Sequence, residues 1–118
     1  MCKVLVVDDD QDILDVLHVI LTMNGLQVEG LSRGGEVEDS LSESRPNVIL
    51  LDVNLGTHDG RAICRKLKSQ VETKGINIIM FSANHNIRQS ALENQADDFL
   101  EKPFDMQQLV DRVKSFCN

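Results

Sequence analysis

Four short apolar runs in this 118-residue chain each end in a residue able to handle a charged oxygen. KVLVV runs into Asp8-Asp9-Asp10, NVILL into Asp52, INIIMF into Ser82, and DFLE into Lys102. Carboxylates brought together in this way repel one another. At about 4 Å and an effective dielectric near 20, each like pair costs roughly 4 kcal/mol, so the group requires a counter-charge. Oxygen-rich acids suit a hard divalent cation that retains water, which describes Mg²⁺ better than zinc. Lys102 supplies a second positive point. In-line displacement at phosphorus spreads charge over equatorial oxygens, and a metal, an ammonium and a Ser82 hydroxyl could each meet one of them. The nucleophile would be a carboxylate with a free oxygen, and Asp52 fits because it ends the most apolar strand.

Taken singly, these residues have ordinary explanations. Acids at a helix start favour its dipole, and capping accounts well for Asp10 and for Asp12. A lone Ser82 reads as a cap, and a lone Lys102 as a solvated charge. Asp97 and Asp98 read as solvent-facing residues at a strand start. The recurrence of such groups at successive strand ends is what specifies one site.

The elements that must position them follow from hydropathy spacing. Strands are expected at 3–8, 26–31, 47–52, 76–81 and 98–101, where β-branched and apolar residues run together. Helices are expected at 10–24, 36–44, 61–71, 86–94 and after Asp105. Their inward stripes include Leu14, Leu17 and Leu21, then Ile63, Leu67 and Val71, then Ile87, Ala91 and Leu92, and finally Leu109, Val110 and Val113. Asn24-Gly25 and Pro46 stop helices, and residues 53–60 read as a loop. Strict alternation of strand and helix implies an α/β fold, a parallel sheet with helices on both faces and right-handed crossovers. In such sheets ligands bind beyond the carboxyl ends of the strands.

Bulk properties narrow the function. A net charge of -7 argues against a nucleic-acid surface. No apolar run approaches the roughly 18 residues of a membrane span, and Met1-Cys2-Lys3-Val4 lacks a signal-peptide layout. A cytoplasmic protein with one domain over residues 1–118 is expected. Cys2, Cys64 and Cys117 are odd in number and widely spaced, so reduced thiols are expected. His18, His58 and His85 are scattered and read as surface residues.

Over nearly its whole length the chain resembles the receiver domains of two-component response regulators. The matching segments are VLVVDDDQDIL, VILLDVNLGTHDG, IIMFSA and FLEKPF, in that order. The resemblance implies a (βα)5 doubly wound sheet of order 2-1-3-4-5. It implies Asp52 as phosphoacceptor, with Mg²⁺ held by Asp9, Asp52 and the Asn54 backbone carbonyl, and by Asp8 through water. It gives Ser82 as the switch hydroxyl, Lys102 as the phosphate-binding amine, Pro103 as a cis proline, and Phe99 as the aromatic that turns inward on activation; taken singly, Phe99 reads as a permanently buried strand residue. The side chains of Asn54 and Asn84 would flank the attacking water.

A phosphorylation switch follows, catalysing only its own phosphorylation and dephosphorylation. Its implied donor is a histidine kinase or phosphotransfer protein. Its implied output is a downstream protein or a fused domain beyond residue 118, with a homodimer through the fourth helix, fifth strand and fifth helix as a further arrangement.

Some positions depart from the family pattern. Leu55-Gly56 stands where Met-Pro is usual, which frees the loop backbone. Gln95 stands where Gly is usual, at a cost if that turn needs positive φ. An alternative reading takes Asp8-Asp9-Asp10 as the Asp-x-Asp of a haloacid-dehalogenase-type phosphatase, with Asp8 as nucleophile and Asp10 as acid/base. It leaves Asp52 idle. A non-phosphorylated receiver-like binding module would lack one of the acids or the lysine, and here all are present.

Overall fold

The computed structural model describes residues 2–117. The main elements alternate as expected: β1 (Lys3–Val7), α1 (Gln11–Met23), β2 (Gln27–Leu31), α2 (Val37–Glu43), β3 (Val48–Asp52), α3 (Gly60–Ser69), β4 (Asn77–Ser82), α4 (Arg88–Glu93), β5 (Asp98–Glu101) and α5 (Met106–Ser115). The five strands form one parallel sheet in the order β2-β1-β3-β4-β5. Strand order therefore reverses between β1 and β3.

Side chains alternate across the sheet with the two-residue period of a strand. Val4, Val6, Val48, Leu50, Ile79 and Phe81 face Leu14, Leu17 and Leu21 of α1 and Leu109, Val110 and Val113 of α5. Leu5, Val7, Ile49, Leu51, Ile78 and Met80 face Val37 of α2, Cys64 and Leu67 of α3, and Ala91 of α4. Burying both faces explains why β3 is apolar from Val48 to Leu51.

Both ends of α1 follow the sequence signals. The Asp10 carboxylate accepts from the Asp12 amide at the start of α1. At its end Gly25 takes φ +82°, the Gly25 amide donates to the Thr22 carbonyl, and the Leu26 amide donates to the Leu21 carbonyl. The end of α4 repeats this motif with Gln95 at φ 74°; Gln95 donates to Leu92 and Ala96 to Ala91.

Several expectations need correction. Helix α3 ends at Ser69, because Gln70 is extended and the Thr73 hydroxyl turns back to the Leu67 carbonyl. Val71 is thereby left 78% exposed instead of inward. Leu92 is 41% exposed, because α4 is short and begins through a 3-10 turn at His85–Ile87 that shifts its inward face to Ala91. The expected loop at 53–60 contains a short antiparallel pairing of Asn54–Leu55 with His58–Asp59. Gly56 takes φ +69° at its tip, and Leu55 is buried.

Asp97 is exposed, as expected, and Asp98 half-buried, but neither is a free charge. Asp97 pairs with Lys68 at 2.7 Å and accepts from the Ile78 amide, and Asp98 pairs with Arg112 at 2.5 Å. Cys2 and Cys117 are bonded in a disulfide, not separate thiols, because the start of β1 and the end of α5 bring their Cα atoms to 5.4 Å. Cys64 is the free, buried cysteine.

The left-handed Gln95 generates a stability prediction. An L residue costs about 1–2 kcal/mol in that region, and glycine returns part of this as extra unfolded-state entropy. Gln95→Gly is expected to raise unfolding free energy by about 0.5–1 kcal/mol, measured by urea denaturation at unchanged m-value.

Candidate functional site

Strand register places the chemistry-bearing residues. Val7 lies opposite Leu51, so the next residues, Asp8 and Asp52, leave neighbouring strands side by side at the point where strand order reverses. Asp52 lies opposite Phe81, and Ser82 opposite Glu101, so Ser82 and Lys102 reach the same edge from β4 and β5.

Asp8 is fully buried, Asp52 is 6% exposed and Ser82 8% exposed, whereas Asp9 faces solvent. Carboxylate oxygens of Asp8, Asp9 and Asp52 all lie within 4.8 Å of one another. Lys102 reaches into this group, with its Nζ 3.0 Å from Asp8 Oδ2 and 3.4 Å from Asp52 Oδ2. The same ammonium stands 4.7 Å from the centre of the Phe81 ring. The Lys102-Pro103 peptide is cis, as the resemblance implied.

Backbone amides hold the acids in place. Asp8 Oδ1 accepts from the Asp10 amide at 2.9 Å, and Asp52 Oδ1 accepts from the Asn54 amide at 3.2 Å. Ser82 Oγ accepts from the Asn84 amide at 3.1 Å. Gly60 is required on steric grounds. A Cβ there would stand 2.1 Å from the Asp52 carbonyl oxygen, and the Gly60 amide donates to the Val53 carbonyl at 2.7 Å.

The electrostatics are those of an under-compensated acid cluster. Burial and then the neighbouring Asp8 charge push Asp52 from 3.8 up to about 6, against the opposing pull of Lys102 and the Asn54 amide. Burial disfavours the Lys102 ammonium, but the Asp8 hydrogen bond and the two carboxylate charges outweigh it and hold its pKa above the usual lysine value. Near neutral pH Asp52 is therefore mainly an ionised, high-energy carboxylate. Such a donor set fits a hard divalent cation, which would relieve the repulsion that Lys102 leaves uncancelled. Cavities of about 280 Å³ beside His18 and about 360 Å³ beside Arg45 lie away from the cluster. They lack its carboxylates, so the chemistry is assigned to the acid cluster and not to these hollows.

Asp10, which the phosphatase alternative needs as acid/base, is committed to capping α1. Phe99 is 2% exposed and inward-facing, with the Arg88 guanidinium 5.8 Å from its ring centre. Sequence reasoning missed two arginine links to α4. Arg61 is held by Asp59 and donates to Ser90 Oγ at 3.0 Å, while Arg88 donates to the Phe99 carbonyl at 3.4 Å. The Arg61 hydrogen bonds keep the Asp59 carboxyl below its usual range. Local patterning carries no signal for a pair 29 residues apart.

Comparison with known proteins agrees with this geometry. The family model for the response regulator receiver domain matches residues 4–114. The transcriptional regulatory protein GltR of Pseudomonas aeruginosa is 38% identical over 115 residues, covering 96% of this chain and 48% of that protein. The chain thus spans about half the length of the curated relatives it matches. A putative response regulator from Chloroflexus aurantiacus superposes with a TM-score of 0.92 at 30% identity, covering 98% of this chain and 97% of that one. The receiver domain of the sensor histidine kinase PA1611 from Pseudomonas aeruginosa, solved with a magnesium ion coordinated in its active-site cleft, gives a TM-score of 0.89 at 25% identity. That match covers 98% of this chain and 97% of that one. Family model, relatives and fold all agree that this chain belongs to the response regulator receiver domains of two-component systems.

Proposed function

We propose that residues 1–118 act as one receiver unit that accepts a phosphoryl group on Asp52 from the phosphohistidine of a histidine kinase or phosphotransfer protein. The observation that carries this reading is the buried Asp52 carboxylate set against Asp8, Asp9 and a single ammonium. Asp9, Asp52 and the Asn54 carbonyl would hold Mg²⁺, with Asp8 acting through water. When bound, Mg²⁺ would offset the acids and a phosphoryl oxygen charge. The magnesium in the cleft of the PA1611 receiver supports the same assignment here.

An Asp52 oxygen attacks phosphorus as the bond from phosphorus to the partner's imidazole nitrogen breaks, leaving an acyl phosphate. Lys102 would meet one phosphoryl oxygen, a role supported by its 3.4 Å approach to Asp52 Oδ2, and the Ser82 hydroxyl would meet another. Hydrolysis of the same acyl phosphate, with Asn54 and Asn84 flanking the attacking water, is the only other reaction assigned. Engagement of Ser82 biases a two-state equilibrium that includes Phe99 and the face formed by α4, β5 and α5. That face would bind a downstream protein, a fused output segment beyond residue 118, or a second copy of the chain. The net charge of -7 supports a protein that works through protein contacts, and a cytoplasmic location belongs to the same reading.

Incubation with acetyl phosphate and Mg²⁺, followed by intact-mass measurement, is expected to give one phosphoryl adduct. It is expected to be lost in Asp52→Asn and retained in Asp8→Asn, if formed more slowly. The reverse pattern would assign the nucleophile to Asp8.

The raised Asp52 pKa also fixes a pH dependence for the metal-free protein. A carboxyl that titrates near 6 when folded and near 3.8 when unfolded destabilises the fold in its ionised form. The penalty is full above about pH 6 and fades as pH falls toward 4. Asp52→Asn removes it. The variant is expected to be more stable than wild type at pH 7.5 by about 2–3 kcal/mol at most, with the gap closing toward pH 4. Chemical denaturation across this range in the presence of a chelator reads the difference.

A further inference from the structure

The chemistry at Asp52 leaves one covalent feature without a role. Cys2 precedes β1 and Cys117 follows α5, and the two are bonded across a sequence separation of 115. Both are half-buried, packed at the margin of the core that includes Leu26, Val28 and Phe116. The two core clusters are built from other side chains, so the fold does not depend on this bond for its interior. The third thiol, Cys64, is fully buried, and burial pushes it up to about 11. It offers neither access nor thiolate, so Cys2 and Cys117 have only each other as partners within the chain.

The bond also lies far from the phosphoryl chemistry. Cys2 sits before the first residue of β1 and Asp8 after its last, about 20 Å away at the rise of an extended strand. What the bond touches is the last turn of α5, one of the three elements of the proposed output face.

We propose that Cys2 and Cys117 form a reversible thiol–disulfide modification site, closed by a small disulfide such as oxidised glutathione and opened by its thiol. Through it, redox poise sets the stability of the fold and the anchoring of α5 independently of Asp52. In closure one cysteine thiolate attacks oxidised glutathione, forming a mixed disulfide and releasing one glutathione thiolate. The other cysteine thiolate then displaces the second glutathione. Two protein thiols and one glutathione disulfide become one protein disulfide and two glutathione thiols, and the cysteine protons pass to the leaving sulfurs. Closing nearly the whole chain into a loop removes close to the largest unfolded-state entropy available at this length.

The test equilibrates the full chain in glutathione buffers of graded ratio, traps free thiols by alkylation and measures mass and melting temperature. Reduction of the native protein is expected to expose two alkylation sites, Cys2 and Cys117, with Cys64 labelled only after unfolding. The reduced form is expected to melt about 10 °C or more below the closed form. Cys117→Ser and Cys2→Ser are expected to melt at the reduced value in every buffer. Acetyl phosphate labelling of Asp52 is expected to be equal in both forms, which separates this site from the phosphorylation reading. The proposal is overturned by a bond that survives excess reduced glutathione in the folded state. It is equally overturned by thiols that do not close in oxidised glutathione, by closed and reduced forms that melt together, or by labelling that changes with redox state.

Discussion

Three carboxylates share one small volume at the carboxyl ends of β1 and β3, with one ammonium among the described residues, that of Lys102, paired to Asp8 and Asp52. That imbalance is the constraint around which the molecule is organised. Unshielded acids a few ångströms apart would spread or take up protons, and the Asp52 pKa is raised accordingly. Two backbone amides and Lys102 keep the group assembled. Among the described residues every buried side-chain nitrogen and oxygen has a hydrogen-bond partner, so the stored unfavourable energy is one of charge and not of unmet hydrogen bonds. Such a donor set suits a hard cation, and on the proposed reading a phosphoryl group arrives with it.

The surrounding architecture serves to hold that geometry. A register slip of one residue in β1 or β3 would send every inward side chain to the opposite face, so two-sided burial locks the position of Asp8 against Asp52. Gly60 lets the start of α3 close on the Asp52 carbonyl, where any side chain would collide. The opposite end of the switch is held less firmly. Helix α4 is short and contributes Ala91 to the core, and its remaining ties include Arg61 to Ser90 and Arg88 to Phe99. A buried acid cluster beside a short helix with little buried surface is the arrangement expected where a local charge event must become a surface change.

Much of this is legible in the sequence for a physical reason. Strand and helix periodicities are local, so alternation of the two sets the fold class, and polar residues that end apolar runs mark the functional edge. Asp10 and Asp105 cap helices as their positions suggest. The features that escaped depend on distance along the chain or on where a helix stops. Nothing near Cys2 announces Cys117, because their meeting results from the closing of the whole sheet between its flanking helices. Val71 and Leu92 keep helical spacing with their neighbours, yet α3 ends before one and the short α4 turns the other outward. The pairing of Asn54–Leu55 with His58–Asp59 is too short for periodicity to register and depends on burial of Leu55.

With no tryptophan or tyrosine in the chain, intrinsic fluorescence is a poor reporter, and amide chemical shifts serve better. Magnesium titration of the wild type and Asp9→Ala, followed residue by residue, tests the charge arrangement most directly. Saturable shifts at one site, largest at residues 8–10 and 53–54 and lost in Asp9→Ala, are the predicted result. Shifts that never saturate, or that centre away from these strand ends, would contradict it.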